Sequence, residues 1–393
     1  MKICILSAFE DSLLKDTGYS VRICNLAENL AKFGNKVFLI IPGYNCHVKK
    51  INGLTVYTIK GLLPRFFLKI LGKLLGVDKI TSLYFYDPIF ILRVSDIIKH
   101  ADIVQLEQQS VGGFFALIIN KIWKKLVVAD CHDVLQALRV KHTNRLRRIA
   151  ELFIEIITYK NVNLILTVSE EEKKLLTSYG IKENKIEVIP NGVDVEKFNV
   201  NNYIQRIPYI KKRYGLNSDY IVTFVGNMEY SPNMDSVKLI ASKIAPKIKE
   251  KMGNVKFLII GRIRKKINSC DLIFTGRVED VAELLSVSNV AIAPLLRGSG
   301  TRLKLLEYFA CSLPVVSTSV GVKGMDVKNG VHALITNDIE DFSNKIIELL
   351  KDRELALRLG SASRSLVVKK YDWKIIGRKL NNIYRRLIKE IQN

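Results

Sequence analysis

The chain has 393 residues, 48% hydrophobic and 25% charged, and its 61 Lys and Arg against 38 Asp and Glu give a formal charge of +23. That length predicts two domains rather than one core, and that composition excludes a disordered chain. No apolar run is long enough to span a bilayer, and the six dispersed cysteines, with no CxxC pair or metal-ligand spacing, exclude a disulfide scaffold or a zinc module.

The start, MKICILSAF, lacks the apolar region and cleavage site of a signal peptide, so a cytoplasmic protein is expected. The positive charge calls for anionic company, which means nucleic acid, an anionic membrane surface or a phosphorylated substrate. No RNP-like, zinc-finger or helix-turn-helix signature supports nucleic acid, so membrane and phosphate are the expected partners and nucleic acid is not. The sequence leaves the oligomeric state open.

Lys2 to Ser7 suits a buried parallel strand, Val21 to Phe33 has helical periodicity closed by Gly34, and Lys36 to Ile41 reads as the next strand. In this βαβ unit the loop with Asp16, Thr17 and Gly18 falls at the carboxyl end of the first strand, where open α/β sheets bind ligands. Gly18 is therefore a candidate ligand-loop residue, although a glycine also suits a plain turn. Leu62 to Val77 places Arg65, Lys69 and Lys73 on one helical face among Leu, Phe and Ile. That profile fits a helix lying in a membrane interface or a core-packed helix with a solvated basic side.

Further strands are expected at Ile103 to Leu106 and Leu126 to Ala129, with a helix from about Gly113 to Trp123 between them. Asp130-Cys131-His132-Asp133 follows directly, so His132, alone among five histidines, stands at a strand's carboxyl end between carboxylates. The position suits a catalytic or ligand residue, and equally a turn residue bonded to Asp130 or Asp133. Leu164 to Val168 ends in Ser169 before Glu170 to Glu172, an N-cap arrangement, and Ile186 to Pro190 precedes an Asn191-Gly192 turn.

Asn199 to Ser218 breaks the alternation and reads as an interdomain segment, after which strands restart at Tyr220 to Val225, Val255 to Ile260, Leu272 to Phe274, Val290 to Ala293 and Leu313 to Ser317. A helix is expected over Asn233 to Met252, and three more at Ile339 to Lys351, Glu354 to Lys369 and Trp373 to Ile391. The stretch from Arg297 to Thr318 is the most informative. A Gly-Ser-Gly turn leads to Thr301 as helix N-cap, and Gly300, Lys304 and Glu307 then align at i, i+4 and i+7. Arg302 and Lys304 at such a helix start make an anion site, with Glu307 deeper and able to accept from hydroxyls. The same pattern also fits a surface helix with an internal Lys/Glu pair. Gly226 and Thr275 to Val278 fall at the same sheet edge.

The motifs TVSEEEKKLL, IEVIPNGVDVEKF, FVGNMEYSPNMDSVKLI, FTGRVEDVAELLSVSNVAIAP and GSGTRLKLLEYFACSLPVVST together resemble the retaining glycosyltransferases of family 4, of GT-B fold, strongly over residues 167–336 and more weakly before. The resemblance implies an α/β chain of two Rossmann-like doubly wound domains facing a cleft, with a last helix from Trp373 crossing back to the first. The expected domains are residues 1–200 with 373–393, a linker over 201–218, and a nucleotide-sugar-binding domain over 219–370. By resemblance, Glu307 binds the ribose hydroxyls, Gly226 lies beside the diphosphate with Gly300 and Thr301, Val278 contacts the base through its main chain, Gly18 approaches the donor phosphate, and His132 assists transfer.

Two positions depart from the family pattern. Ser299 stands where the first glutamate of an E-x7-E motif is usual, and the diphosphate Arg/Lys pair falls to Arg302 and Lys304, with Arg262 and Arg264 in reserve. The implied activity is metal-independent transfer from a UDP- or GDP-sugar, with no cofactor, to a lipid-linked or polysaccharide acceptor at the inner face of the membrane. The alternatives are a catalytically silent nucleotide-sugar-binding scaffold, suggested by Ser299, and a nucleotide-sugar epimerase of the same fold.

Overall fold

The computed structural model describes residues 1–7, 17–43, 45–61, 87–107, 118–134, 145–264, 267, 271–298 and 302–392, and every structural statement below concerns these. The basic segment Leu62 to Val77, and Asp16, Ser299, Gly300 and Thr301, lie outside the described residues. The chain forms two compact units, Met1–Pro190 with Trp373–Asn393, and Asn191–Asp372.

The first unit is built on strands β1 (Lys2–Leu6), β2 (Lys36–Pro42), β3 (His47–Ile51), β4 (Leu54–Ile59), β5 (Ile103–Glu107), β6 (Leu126–Cys131), β7 (Leu164–Thr167) and β8 (Ile186–Val188). Their order is β3-β4-β2-β1-β5-β6-β7-β8, parallel except where β3 pairs antiparallel with β4. The β3–β4 hairpin is absent from the sequence-based strand list. Its signal is the Asn52-Gly53 pair, whose φ values of 49° and 81° suit a tight hairpin turn.

The helix Gly18–Lys32 opens with a reciprocal capping box, in which Thr17 Oγ1 accepts from Ser20 N at 3.2 Å and Ser20 Oγ accepts from Thr17 N at 3.1 Å. It buries Ile23, Leu26, Ala27 and Leu30 against β1 and β2. The terminal helix Trp373–Gln392 joins the same core through Trp373, Ile376, Leu380, Ile383 and Tyr384, an apolar stripe at helical spacing. The two helices cross closely at Gly377, where a Cβ would lie 2.5 Å from Asn29 Cβ, and Asn381 Oδ1 accepts from Asn35 Nδ2 at 2.8 Å.

The second unit is a parallel sheet, β11-β10-β9-β12-β13-β14, of β9 (Tyr220–Val225), β10 (Val255–Ile260), β11 (Leu272–Gly276), β12 (Val290–Ala293), β13 (Val315–Ser317) and β14 (Leu334–Ile335). The expected long helix runs as Ser231–Leu239, a wider π turn at Ile240–Ile244, and Ala245–Lys251. The wide turn sits just before Pro246, which has no N–H to donate and whose ring clashes with the carbonyl four residues back.

Two expectations are corrected. The unit division falls after Pro190, and residues 199–218 are not a free linker. Val193, Val195, Phe198 and Tyr203 are buried in the second unit, residues Val200–Arg206 and Ile207–Arg213 are helical, and Tyr203 donates to Asp280 Oδ2 at 2.6 Å. The helix expected to be capped by Thr301 spans Leu303–Ala310, with Arg302 at the N-cap position and no side-chain cap. Of the aligned trio, Lys304 and Glu307 are on this helix.

Candidate functional site

The second unit collects its polar groups at the carboxyl ends of β9 and β10. Gly226 follows β9, and a Cβ there would meet Asn233 Nδ2 at 2.8 Å and Lys304 Nζ at 3.0 Å. Gly261 follows β10 with φ +130°, and a Cβ there would fall 2.0 Å from Gly226 O. Glycine at 261 lets the two strand ends approach each other and glycine at 226 leaves room for the Asn233 and Lys304 side chains, while both N–H groups are already spent, Gly226 N on Ile260 O at 2.9 Å and Gly261 N on Gly276 O at 3.0 Å.

Lys304 Nζ donates to Asn233 Oδ1 at 2.8 Å and lies 4.1 Å from the centre of the Phe224 ring. Asn233 is itself held by Nδ2 donating to Asn227 O at 2.8 Å. Among the described residues no carboxylate lies within 4.0 Å of the Lys304 ammonium. Burial, and then the nearby Arg302 charge, push its pKa down to about 7. The Glu307 carboxylate, one turn along, accepts no hydrogen bond from the described residues, and burial pushes its pKa up to about 7 against the pull of Lys197 and Lys304. Both side chains are partly buried. The hydroxyl of Tyr308, the residue after Glu307, accepts from Val225 N at 2.7 Å and ties the helix to β9.

Arg302 packs over Gly298, whose φ of +133° and missing side chain leave room for the guanidinium. Arg264, held in reserve by the sequence, pairs with Glu229 at 2.7 Å and is exposed, as is Arg262. Val278 is partly buried beside the cluster of Ile221, Leu258 and Leu284.

The first unit holds His132, with neither of the partners expected for it as a hydrogen bond. Its Nε2 lies 2.8 Å from Glu107 Oε2 and 4.0 Å from Asp130 Oδ2. Its ring stacks on Tyr19 at 4.3 Å between centroids. Asp130 is claimed by Arg22, whose Nη2 reaches Oδ1 at 2.7 Å and Nε reaches Oδ2 at 3.0 Å, both side chains being 0% exposed. Gln105 Nε2 donates to Glu107 Oε1 at 2.6 Å, and the Tyr384 hydroxyl of the terminal helix donates to Gln105 Oε1. Burial and then the Asp130 charge push the Glu107 carboxyl up, while the bond to His132 pulls it down; the net direction is up.

Glu107, Asp130 and His132 offer ligand atoms within 4.8 Å of one another, a spacing compatible with a divalent ion. The donor set does not suit one. Each of the four carboxylate oxygens already accepts from Arg22, Gln105 or His132, and the guanidinium places a positive charge where a cation would sit.

Gly18 is the exposed first residue of its helix and shows no positive φ, so a glycine is not demanded there by the backbone. Sequence reasoning missed Glu107, Gln105, Arg22 and Tyr384. Glu107 alone carried a signal, as a carboxylate closing an apolar strand at the ligand edge of the sheet.

Residues 17–197 match the family model described as Glycosyltransferase Family 4, and residues 219–352 that described as Glycosyl transferases group 1. The chain is 29% identical over 248 residues to the capsular polysaccharide biosynthesis glycosyltransferase CapM of Staphylococcus aureus, covering 58% of this chain and 62% of that one, just under two thirds of the relative's length. It is 24% identical to the N-acetyl-alpha-D-glucosaminyl L-malate synthase of Bacillus anthracis, over 91% of this chain and 87% of that one. The crystal structure of Anabaena HepE in complex with UDP-glucose superposes with a TM-score of 0.74 at 14% identity, covering 98% of this chain and 100% of that one. With two parallel Rossmann-like units and both family models matched in order, the chain belongs to the GT-B glycosyltransferases of family 4 type.

Proposed function

We propose that the protein is a retaining glycosyltransferase that moves a sugar from a nucleoside diphosphate sugar to a hydroxyl of a lipid-linked or polysaccharide acceptor. The observation that carries this reading is Lys304, a partly buried ammonium with no carboxylate within 4.0 Å among the described residues, set against the side-chain-free Gly226 at the end of β9. An anion suits such a site. In the proposed complex Lys304 and Arg302 neutralise the charge that builds on the departing diphosphate, the work a divalent ion does in other phosphate sites, and Glu307 accepts from the ribose hydroxyls. No side chain is assigned as nucleophile; attack on the same face as the departing phosphate retains configuration, with His132 polarising a hydroxyl. The binding of UDP-glucose by the structurally similar HepE supports the donor class, and the capsular role named for CapM supports the acceptor class.

Incubation with a panel of UDP- and GDP-sugars is expected to give thermal stabilisation by at least one donor and slow hydrolysis of it without acceptor. Glu307→Ala is expected to weaken that donor about tenfold or more through loss of charge-assisted hydrogen bonds. Neither stabilisation nor hydrolysis with any donor would refute the reading, and binding without turnover on any acceptor would favour a silent scaffold.

The acceptor reading places the enzyme at an anionic membrane surface. No helix among the described residues is long and apolar enough to cross a membrane. The helix Arg145–Asn161 exposes Ile149 and Phe153, 54% and 63% accessible and one turn apart, just after the basic positions Arg145, Arg147 and Arg148. Such a face suits insertion beside acidic headgroups. Flotation with vesicles containing phosphatidylglycerol is expected to carry the protein, less so for Ile149→Asp/Phe153→Asp; indifference to anionic lipid would remove the membrane from the proposal.

A further inference from the structure

The first unit contains a buried polar chain that leads from the terminal helix to one nitrogen of His132. The Tyr384 hydroxyl, 0% exposed, donates to Gln105 Oε1, and the Gln105 amide turns its N–H bonds toward two carboxylates, Glu107 Oε1 at 2.6 Å and Asp130 Oδ2 at 3.4 Å. An amide facing two carboxylates presents its NH2, so its oxygen is left for the phenol, and each donor in the chain has one direction open to it. Glu107 Oε2 is then the acceptor that meets His132 Nε2 at 2.8 Å. Among the described residues nothing bonds His132 Nδ1, although the side chain is only 14% exposed. A largely enclosed imidazole held at one nitrogen and stacked on one face has its other nitrogen available for a ligand.

We propose that Glu107 is a positioning residue: it holds His132 in the tautomer protonated at Nε2, so that Nδ1 is presented as a bare hydrogen-bond acceptor for a substrate hydroxyl. The inference rests on the glycosyltransferase reading above. An acceptor at Nδ1 draws the hydroxyl proton toward the ring and raises electron density on the oxygen, which is the polarisation transfer requires. In the reverse tautomer Nδ1 would donate instead and oppose it. Gln105 and Tyr384 act one and two bonds further back, keeping Glu107 in register.

The test is nitrogen-15 NMR of histidine-labelled full-length protein at neutral pH, read beside steady-state kinetics. Wild type is expected to show a protonated, pyrrole-type Nε2 and an unprotonated, pyridine-type Nδ1. In Glu107→Gln the amide oxygen is fixed by Gln105, so the new NH2 faces Nε2 and the two signals exchange. Turnover in that variant is expected to fall on the order of 100-fold, with donor KM within about threefold of wild type, because a His of the wrong tautomer binds but does not polarise. Tyr384→Phe should keep the fold and lose about tenfold in kcat, one hydrogen bond's worth. Protonation of Nδ1 in wild type, or an unchanged tautomer in Glu107→Gln, would overturn the proposal. The expected tautomers in a wild-type protein that turns over no donor would support the geometry and refute the enzyme reading instead.

Discussion

Lys304→Met is expected to lower affinity for the nucleotide-sugar donor about 100-fold and kcat/KM about 1,000-fold, with the melting temperature of the ligand-free protein unchanged or raised. The binding loss is that of a charge-assisted hydrogen bond to phosphate, and the larger kinetic loss reflects charge that grows on the diphosphate as the glycosidic bond breaks. Stability should not follow activity. Burial and Arg302 already disfavour the ammonium, so a methionine of similar length removes an electrostatic cost and keeps most of the packing over Phe224. Isothermal titration and calorimetry of the same preparations read both effects.

The pH dependence has a definite sign. Lys304 titrates near 7 when folded and near its ordinary value when unfolded, so its cost is fully present below pH 7 and is lost as pH rises from about 7 toward 10. Glu307 titrates near 7 when folded and near 4.5 unfolded, so stability falls as pH rises from 4.5 to 7. Together the two give the ligand-free second unit its lowest stability near neutrality. A bound diphosphate favours the Lys304 ammonium, and donor affinity is therefore expected to fall above pH 7 by up to about tenfold per unit, a slope that Lys304→Met abolishes.

Asp130→Asn is expected to cost about 3–5 kcal/mol, because it leaves the Arg22 guanidinium, 0% exposed, without its paired carboxylate. The Pro190 carbonyl, 3.1 Å from Nη1, is too weak an acceptor to replace it. Arg22→Met in the same chain should recover most of the loss, since removing both charges avoids stranding either. Both tryptophans, Trp123 and Trp373, belong to the first unit, so the midpoint of urea unfolding followed by tryptophan fluorescence reports that unit alone. A midpoint equal to wild type in Asp130→Asn would show that the pair does not hold the unit.

Parallel strands were legible because they are buried on both faces: β9, β10 and β12 fall at the residues that their apolar runs predict. The hairpin strand β3 is exposed along HVKK and has no such run, so only its turn identifies it. His132 was legible from its place after β6, but its partner was not, since Glu107 precedes it by 25 residues and the contact depends on β5 lying beside β6. Arg22 falls within the helical run from Val21 with nothing in the sequence to single it out, and only the fold shows it facing Asp130. Lys304 and Glu307 could be placed on one helix face from spacing alone. That Lys304 meets an amide and an aromatic ring rather than a carboxylate among the described residues, on which the functional reading depends, is a property of packing.

The terminal helix supplies Trp373, Ile376, Leu380, Ile383 and Tyr384 to a core whose other buried members are made in the first 190 residues. On a ribosome adding roughly 5–20 residues per second, some tens of seconds separate the emergence of β8 from that of this helix. The domain begun first is thus completed last, after its neighbour has everything needed to fold. During that interval the face of the Gly18–Lys32 helix that Gly377 crosses at Asn29, and the core that Trp373 and Leu380 complete, have no cover, and the nascent chain is an expected client for chaperones that hold exposed apolar surface.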